Sequence, residues 1–346
     1  MPKSVIRQIQ EELPSYRGSG MSIMEISHRS SLYADMQQAA ESDLRQLMDI
    51  PDDYSVLFLQ GGGTLQFDTI PLNLARRERT VAVVDSGHWA SRAQQEADLL
   101  PGITTYTAAT GRDSNYTRLP YDLNLDRPCD YVHMTLNNTI EGTMYRRLPD
   151  VKGLPVAADM SSNILAQKYD VRDFGLIMAG AQKNIGPAGL TVVIVKNSLL
   201  DENQNLPSML DYVKLAKKNS TLNTPPVFAI YAAGLVFRKL IEDGGVEAAQ
   251  KRNEEKSGLL YDFLDNSRMF KSPVAREDRS ITNIPFVTGD RELDARFISE
   301  ADEAGFKNIK GHRLVGGMRA SLYNAFPLEG VKALIEFMEK FEEENR

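Results

Sequence analysis

Seven short runs rich in β-branched and apolar residues, SVLFLQ, TVAVVDS, GITTYTA, CDYVHMT, PVAADM, GLIMAGA and LTVVIVK, constrain this chain most, because helical patterns such as DMQQAAESDLRQLM separate or precede them. Strands joined through helices predict a mainly parallel sheet with helices on both faces. In such a sheet ligands bind beyond the carboxyl ends of the strands, and the chain's chemically suggestive residues from Gly63 to Lys183 all fall at those ends. The later pattern differs. VFAIYAAGLVFRKLIED reads as a buried helix stopped by Gly244 and Gly245, and two helical segments, a strand near NIPFVTG, strands around MRASLY and a final helix through EGVKALIEFMEKFEEE follow. The expectation is a large α/β domain, residues 1–243, and a smaller C-terminal α+β domain, residues 244–346. The polar stretch from Asp201 to Pro226, containing NTPP, reads as a long excursion that reaches a neighbouring subunit.

Within this frame one lysine stands out. Lys183 lies among small residues in AGAQKNIGPAG, just past GLIMAG, and Asp159 ends PVAAD ahead of Ser161 and Ser162. An amine and a carboxylate at adjacent strand ends suit pyridoxal phosphate, whose aldehyde needs an amine for a Schiff base and whose ring nitrogen needs a carboxylate to keep it protonated. The triplet Gly61, Gly62, Gly63 with Thr64 follows the first strand, where backbone amides and a helix N-terminus can cradle a phosphate. It matches neither GxGxxG nor a P-loop. Trp89, the only tryptophan, falls where a helix should begin after TVAVVDSG and offers a flat ring for stacking. Taken singly, each has a plain alternative: a solvated lysine, a flexible turn, a core or interface indole.

Two of the four histidines, His28 and His312, directly precede arginines. Guanidinium groups bind carboxylates and phosphates with paired charge-assisted hydrogen bonds, so Arg29, Arg313 and Arg319 are candidates for an anionic substrate. His28 and Arg29 could equally cap a helix or pair with surface acids. His133, inside DYVHMT, reads as a hydrogen-bonded core residue.

The stretches MEISHR, GGGTLQF, GHWA, NNTIEG, AADMSS, AGAQKNIGPAGLTVVIV, NTPP and GHRLVGGMRASLYN resemble, in order and end to end, the phosphoserine aminotransferases, class V enzymes with the aspartate aminotransferase-like architecture of fold type I. The resemblance implies transfer of an amino group between glutamate and 3-phosphohydroxypyruvate, giving phosphoserine and 2-oxoglutarate for serine synthesis, and in bacterial relatives a role in pyridoxine synthesis. It implies that Lys183 carries the Schiff base, Asp159 partners the ring nitrogen and Trp89 stacks on the ring. It further implies that Gly63, Thr64, Ser161 and Gln182 belong to the cofactor and phosphate set and that Thr139 lies near the ring hydroxyl. Asn223 and Thr224 would come from the second subunit of a homodimer, and His28, Arg29, His312, Arg313 and Arg319 would bind substrate. Some relatives have an arginine where this chain has Thr64. They also begin with a segment resembling FxxGPAxLP that ends where Met1 and Pro2 fall, so weaker substrate contacts and weakened transamination are expected.

Composition fits a cytoplasmic enzyme. A net charge of −7 argues against nucleic acid, and the single Cys129 allows neither an internal disulfide nor a thiolate metal cluster. No apolar run is long enough for a membrane span, and the charged start MPKSVIRQIQEELPSY does not suit a signal peptide. The residues alone leave three other readings: an alanine:glyoxylate transaminase, a cysteine desulfurase in which Cys129 would have to accept sulfur, and a non-catalytic module for phosphorylated metabolites.

Overall fold

The computed structural model describes residues 1–201 and 205–345. The first four predicted runs form β1 (Tyr54–Leu59), β2 (Thr80–Asp85), β3 (Thr104–Thr110) and β4 (Tyr131–Thr135). A short antiparallel hairpin follows, β5 (Asn137–Asn138) and β6 (Thr143–Met144), and then β7 (Val156–Asp159), β8 (Leu176–Gly180) and β9 (Thr191–Lys196). The seven long runs make one sheet in the order β1-β9-β8-β7-β4-β2-β3. Its β8-β7-β4-β2-β3 portion is parallel, whereas β9 runs antiparallel to both β8 and β1.

Each strand's period of two assigns alternate side chains to opposite faces. Val56, Phe58, Ala82, Val84, Val192 and Ile194 enter one hydrophobic cluster. Leu57, Leu59, Val81, Val83, Val193 and Val195 enter the other. Helices cover both faces, and every residue of β4, β7 and β8 is buried. That explains why these strands read as unbroken apolar runs. On the first face lie α1 (Lys3–Glu12), α2 (Ser31–Met48) and α6 (Val227–Glu242). On the second are α3 (Gly62–Leu74), α4 (His88–Asp98) and α5 (Tyr212–Lys217).

One segment has no structural reading from the sequence and another departs from its own. The charged start forms α1, because Val5 and Ile9 lie four apart and bury one stripe while its charges stay in water. The stretch after Asp201 is packed in part rather than wholly excursive: buried Asp211 caps α5 by accepting from the Val213 and Lys214 amides, and the Tyr212 hydroxyl donates to Gln66 at 2.5 Å. Residues 202–204 of that stretch lie outside the described residues.

The helix α7 (Gly245–Asn266) follows α6 after Gly244, whose φ of +93° is readily reached only without a side chain. Its start, with Val246 and Ala249, packs on the first cluster. Its end, with Leu260, Tyr261 and Leu264, packs on a third. That cluster joins β10 (Asn283–Phe286), α8 (Arg291–Glu303), β11 (Met318–Ser321) and α9 (Leu328–Glu344) around Phe270, Phe286, Phe297 and Phe341. Among the described residues no helix is long and apolar enough to cross a membrane.

Candidate active site

Parallel strands deliver their carboxyl ends to one edge of the sheet. Asp159 is the last residue of β7, in register with Thr135 of β4 and Met178 of β8. It is 7% exposed, and one carboxylate oxygen accepts the Ser161 amide at 2.8 Å. The Ser161 hydroxyl accepts the Gly180 amide at 3.0 Å, tying the turn after β7 to the end of β8. Three residues past β8, the Lys183 ammonium donates to the Thr139 hydroxyl at 2.8 Å and the Ser162 hydroxyl at 2.9 Å. Burial pulls the Lys183 pKa below its ordinary value; Asp159 opposes the shift and Arg319 reinforces it.

The Lys183 nitrogen lies 6.0 Å from the centre of the Trp89 ring, near the start of α4. The glycine triplet opens α3: Gly61 has a φ of +93°, and no side chain caps the helix's first amides. A side chain built on Gly63 would place its Cβ 3.7 Å from the Ser161 hydroxyl, so this uncapped end faces the same cleft. From the C-terminal part, Arg319 on β11 donates to the Thr139 carbonyl at 3.1 Å, and its Nε is buried without a partner among the described residues. The His312 ring lies 5.9 Å from the His88 ring, which lies 5.2 Å from Trp89. An uncapped helix start, a buried carboxylate, a lysine with a lowered pKa and a flat ring fit a phosphate-bearing aromatic aldehyde such as pyridoxal phosphate.

Comparison with known proteins agrees. The aminotransferase class-V family model matches residues 1–334. A phosphoserine aminotransferase of Lactiplantibacillus plantarum is 57% identical over 347 residues, 100% of this chain and 97% of the relative. One from Listeria monocytogenes serovar 1/2a is 54% identical, covering 99% of this chain and 93% of the relative. The chain belongs to the phosphoserine aminotransferases. The solved phosphoserine aminotransferase from Bacillus circulans subsp. alkalophilus superposes with a TM-score of 0.96 at 41% identity, covering 100% of this chain and 96% of that one. The pyridoxal phosphate-bound phosphoserine aminotransferase of Trichomonas vaginalis does so with a TM-score of 0.93 at 34% identity, covering 98% and 97%. An alanine–glyoxylate aminotransferase from Nostoc, at 15% identity, shares only the fold. The chain is therefore an aminotransferase of serine biosynthesis, and its cofactor is pyridoxal phosphate.

The other expected residues are arranged less uniformly. Thr64 and Gln182 are exposed, and the Gln182 amide crowds Gly180. His28 lines a surface groove with Tyr33, Gln37, Asn219 and Thr221, and neither it nor exposed Arg29 is hydrogen-bonded to Lys183. Asn223 lines a cavity with Gln60 and Gly61, and the Thr224 carbonyl accepts from Gln60 at 2.7 Å. Arg313 is exposed beside His312, whose pKa burial lowers, helped by His88, Arg319 and Arg313.

His133 corrects its sequence reading. It is buried, but its Nε2 has no hydrogen-bond partner among the described residues; it meets the Phe67 ring edge-on at 6.2 Å. Burial lowers its pKa to about 4, against the pull of Asp159. Sequence reasoning passed over Tyr323, whose hydroxyl accepts from Asn283 at 3.1 Å and hydrogen-bonds with Ser162. It also left Glu141 without a role. Both lie inside motifs already singled out, Tyr323 in GHRLVGGMRASLYN and Glu141 in NNTIEG.

Proposed function

We propose that this chain transfers the amino group of L-glutamate to 3-phosphohydroxypyruvate, giving O-phospho-L-serine and 2-oxoglutarate, through the residues gathered around Lys183. The position of the Lys183 nitrogen between Thr139 and Ser162, with its pKa lowered by burial, carries this reading. Bound there, pyridoxal phosphate supplies an electron sink for the substrate carbon that bears the amino group. Lys183 would hold the cofactor through its amine and, once the substrate's amino group had displaced it, would be free to move the proton at the substrate's α-carbon. Asp159 holds a proton on the ring nitrogen, and Trp89 covers one ring face. Gly63, Thr64, Ser161 and Gln182 bind the cofactor phosphate with the positive end of α3, and Thr139 orients Lys183 and the ring hydroxyl.

Arg319 binds the substrate carboxylate, and His312 and Arg313 bind its phosphate. In a cytoplasmic homodimer with shared sites, Asn223 and Thr224 of one protomer complete the phosphate site of its partner, and His28 and Arg29 reach the substrate. Residues 1–243 then form the cofactor domain, and residues 244–346 a small domain that brings substrate contacts. The phosphorylated keto acid of pyridoxine biosynthesis is a second substrate of the same site.

The test is to assay glutamate with phosphorylated and unphosphorylated keto acids, with molar mass measured in parallel. A yellow protein that borohydride bleaches, a preference for phosphorylated acids and a dimeric mass are expected. A colourless protein, or equal use of unphosphorylated acids, would overturn the reading.

A further inference from the structure

One buried carboxylate beside the site has no role in this chemistry. Glu141 lies in the turn between β5 and β6, 8% exposed. Its Oε1 accepts the His88 amide at 2.8 Å, and its Oε2 is buried with no hydrogen-bond partner among the described residues. Burial raises its pKa, while the amides of His88 and of Glu141 itself, and then Arg319, pull it down against Asp85. Burying a carboxylate costs several kcal/mol unless contacts offset it.

Those contacts fall on the element that carries Trp89. His88 is the first residue of α4, so Glu141 satisfies one of the helix's otherwise unpaired amides from the side favoured by the helix dipole. The preceding backbone passes so close that a Cβ on Gly87 would lie 2.7 Å from Oε2 of Glu141 and 2.8 Å from Oδ1 of Asn138. Gly87 is extended, with a φ of 167°, so proximity rather than conformation demands glycine there. The same turn supplies Thr139, whose hydroxyl accepts from Lys183 and whose carbonyl accepts from Arg319. One hairpin thus touches the segments that carry the ring plate, the amine and the guanidinium.

We propose that Glu141 is a positioning residue that clamps the start of α4 to the β5–β6 turn and thereby fixes the Trp89 ring over the Lys183 pocket. The inference rests on the stacking role of Trp89, but its test does not require turnover. Trp89 is the only tryptophan, so fluorescence of cofactor-free protein reports its placement directly. Glu141→Ala should shift the emission to the red and make it more easily quenched by acrylamide. Glu141→Gln keeps an acceptor for the His88 amide and should restore wild-type quenching. In the loaded enzyme Glu141→Ala should lower kcat/KM by up to roughly 100-fold, the cost of misplacing a positioned group by about 1 Å.

Folded Glu141→Ala protein with wild-type quenching overturns the proposal, even if its melting temperature falls, since a merely structural role would do that alone. If Glu141→Ala does not fold, Gly87→Ala decides: its methyl group pushes the same contact apart, so increased quenching is expected and wild-type quenching refutes the clamp. Failure of the transamination assay would leave this fluorescence result unchanged, so the two readings fail separately.

Discussion

Asp159→Asn separates charge from shape at the centre of the site. The carboxylate accepts the Ser161 amide through one oxygen, and an asparagine oxygen can accept the same bond. The turn after β7 should therefore stay in place, with stability changed by no more than about 1 kcal/mol. What is lost is a negative charge beside the position assigned to the ring nitrogen. A hydrogen bond to a charged group contributes about 1.5–3 kcal/mol net, so kcat should fall about 10- to 150-fold, each 1.4 kcal/mol being tenfold.

A competing explanation can be removed by its sign. Asp159 raises the Lys183 pKa against burial, so the substitution makes the lysine neutral at lower pH. If lysine ionisation were the cause, the variant would be favoured on the acid side of the pH–rate profile; loss of the ring partner instead predicts a deficit at every pH. The assay is steady-state transamination of glutamate and the phosphorylated keto acid at saturating cofactor, with far-ultraviolet dichroism to verify folding. A folded variant with kcat within about threefold of wild type, less than 1 kcal/mol, would refute the assignment of Asp159.

Lys183→Ala should fold normally, because Thr139 and Ser162 also hydrogen-bond each other, and should lose about 10⁴-fold or more in kcat; appreciable turnover would show that another group moves the proton. Arg313→Ala and Arg29→Ala should raise KM for the phosphorylated keto acid about tenfold or more while sparing an unphosphorylated analogue, whereas Arg319→Ala should impair both; equal losses across substrates would refute this division. His133 binds a proton near the ordinary imidazole value of about 6.5 when unfolded but only at about 4 when folded. The unfolded chain therefore holds more protons between those values, and stability should fall by up to about 3 kcal/mol as pH drops through that window. Urea midpoints that track in wild type and His133→Asn over this range would show that His133 contributes none of the loss.

The sequence determined what is local. A strand's period of two is written in residues side by side, so the runs at Tyr54–Leu59 and Thr191–Lys196 were legible, and glycines after a strand announce an anion cradle wherever that strand lies. The residue types proposed for the cofactor chemistry, Lys183, Asp159 and Trp89, could be named for the same reason. Partner choice across long separations was not legible. Nothing within β1 says that it pairs antiparallel with β9, and nothing around Thr139 says that Lys183 and Arg319 will converge on it from 44 and 180 positions away. The burial of His133 beside Asp159 without a hydrogen bond for its Nε2, the packing of α5 under Gln66 and the closeness of Glu141 to Gly87 depend likewise on how elements stack. Side-chain chemistry and backbone period are properties of a short stretch, while pairing, burial and pKa arise only when distant stretches exclude water together.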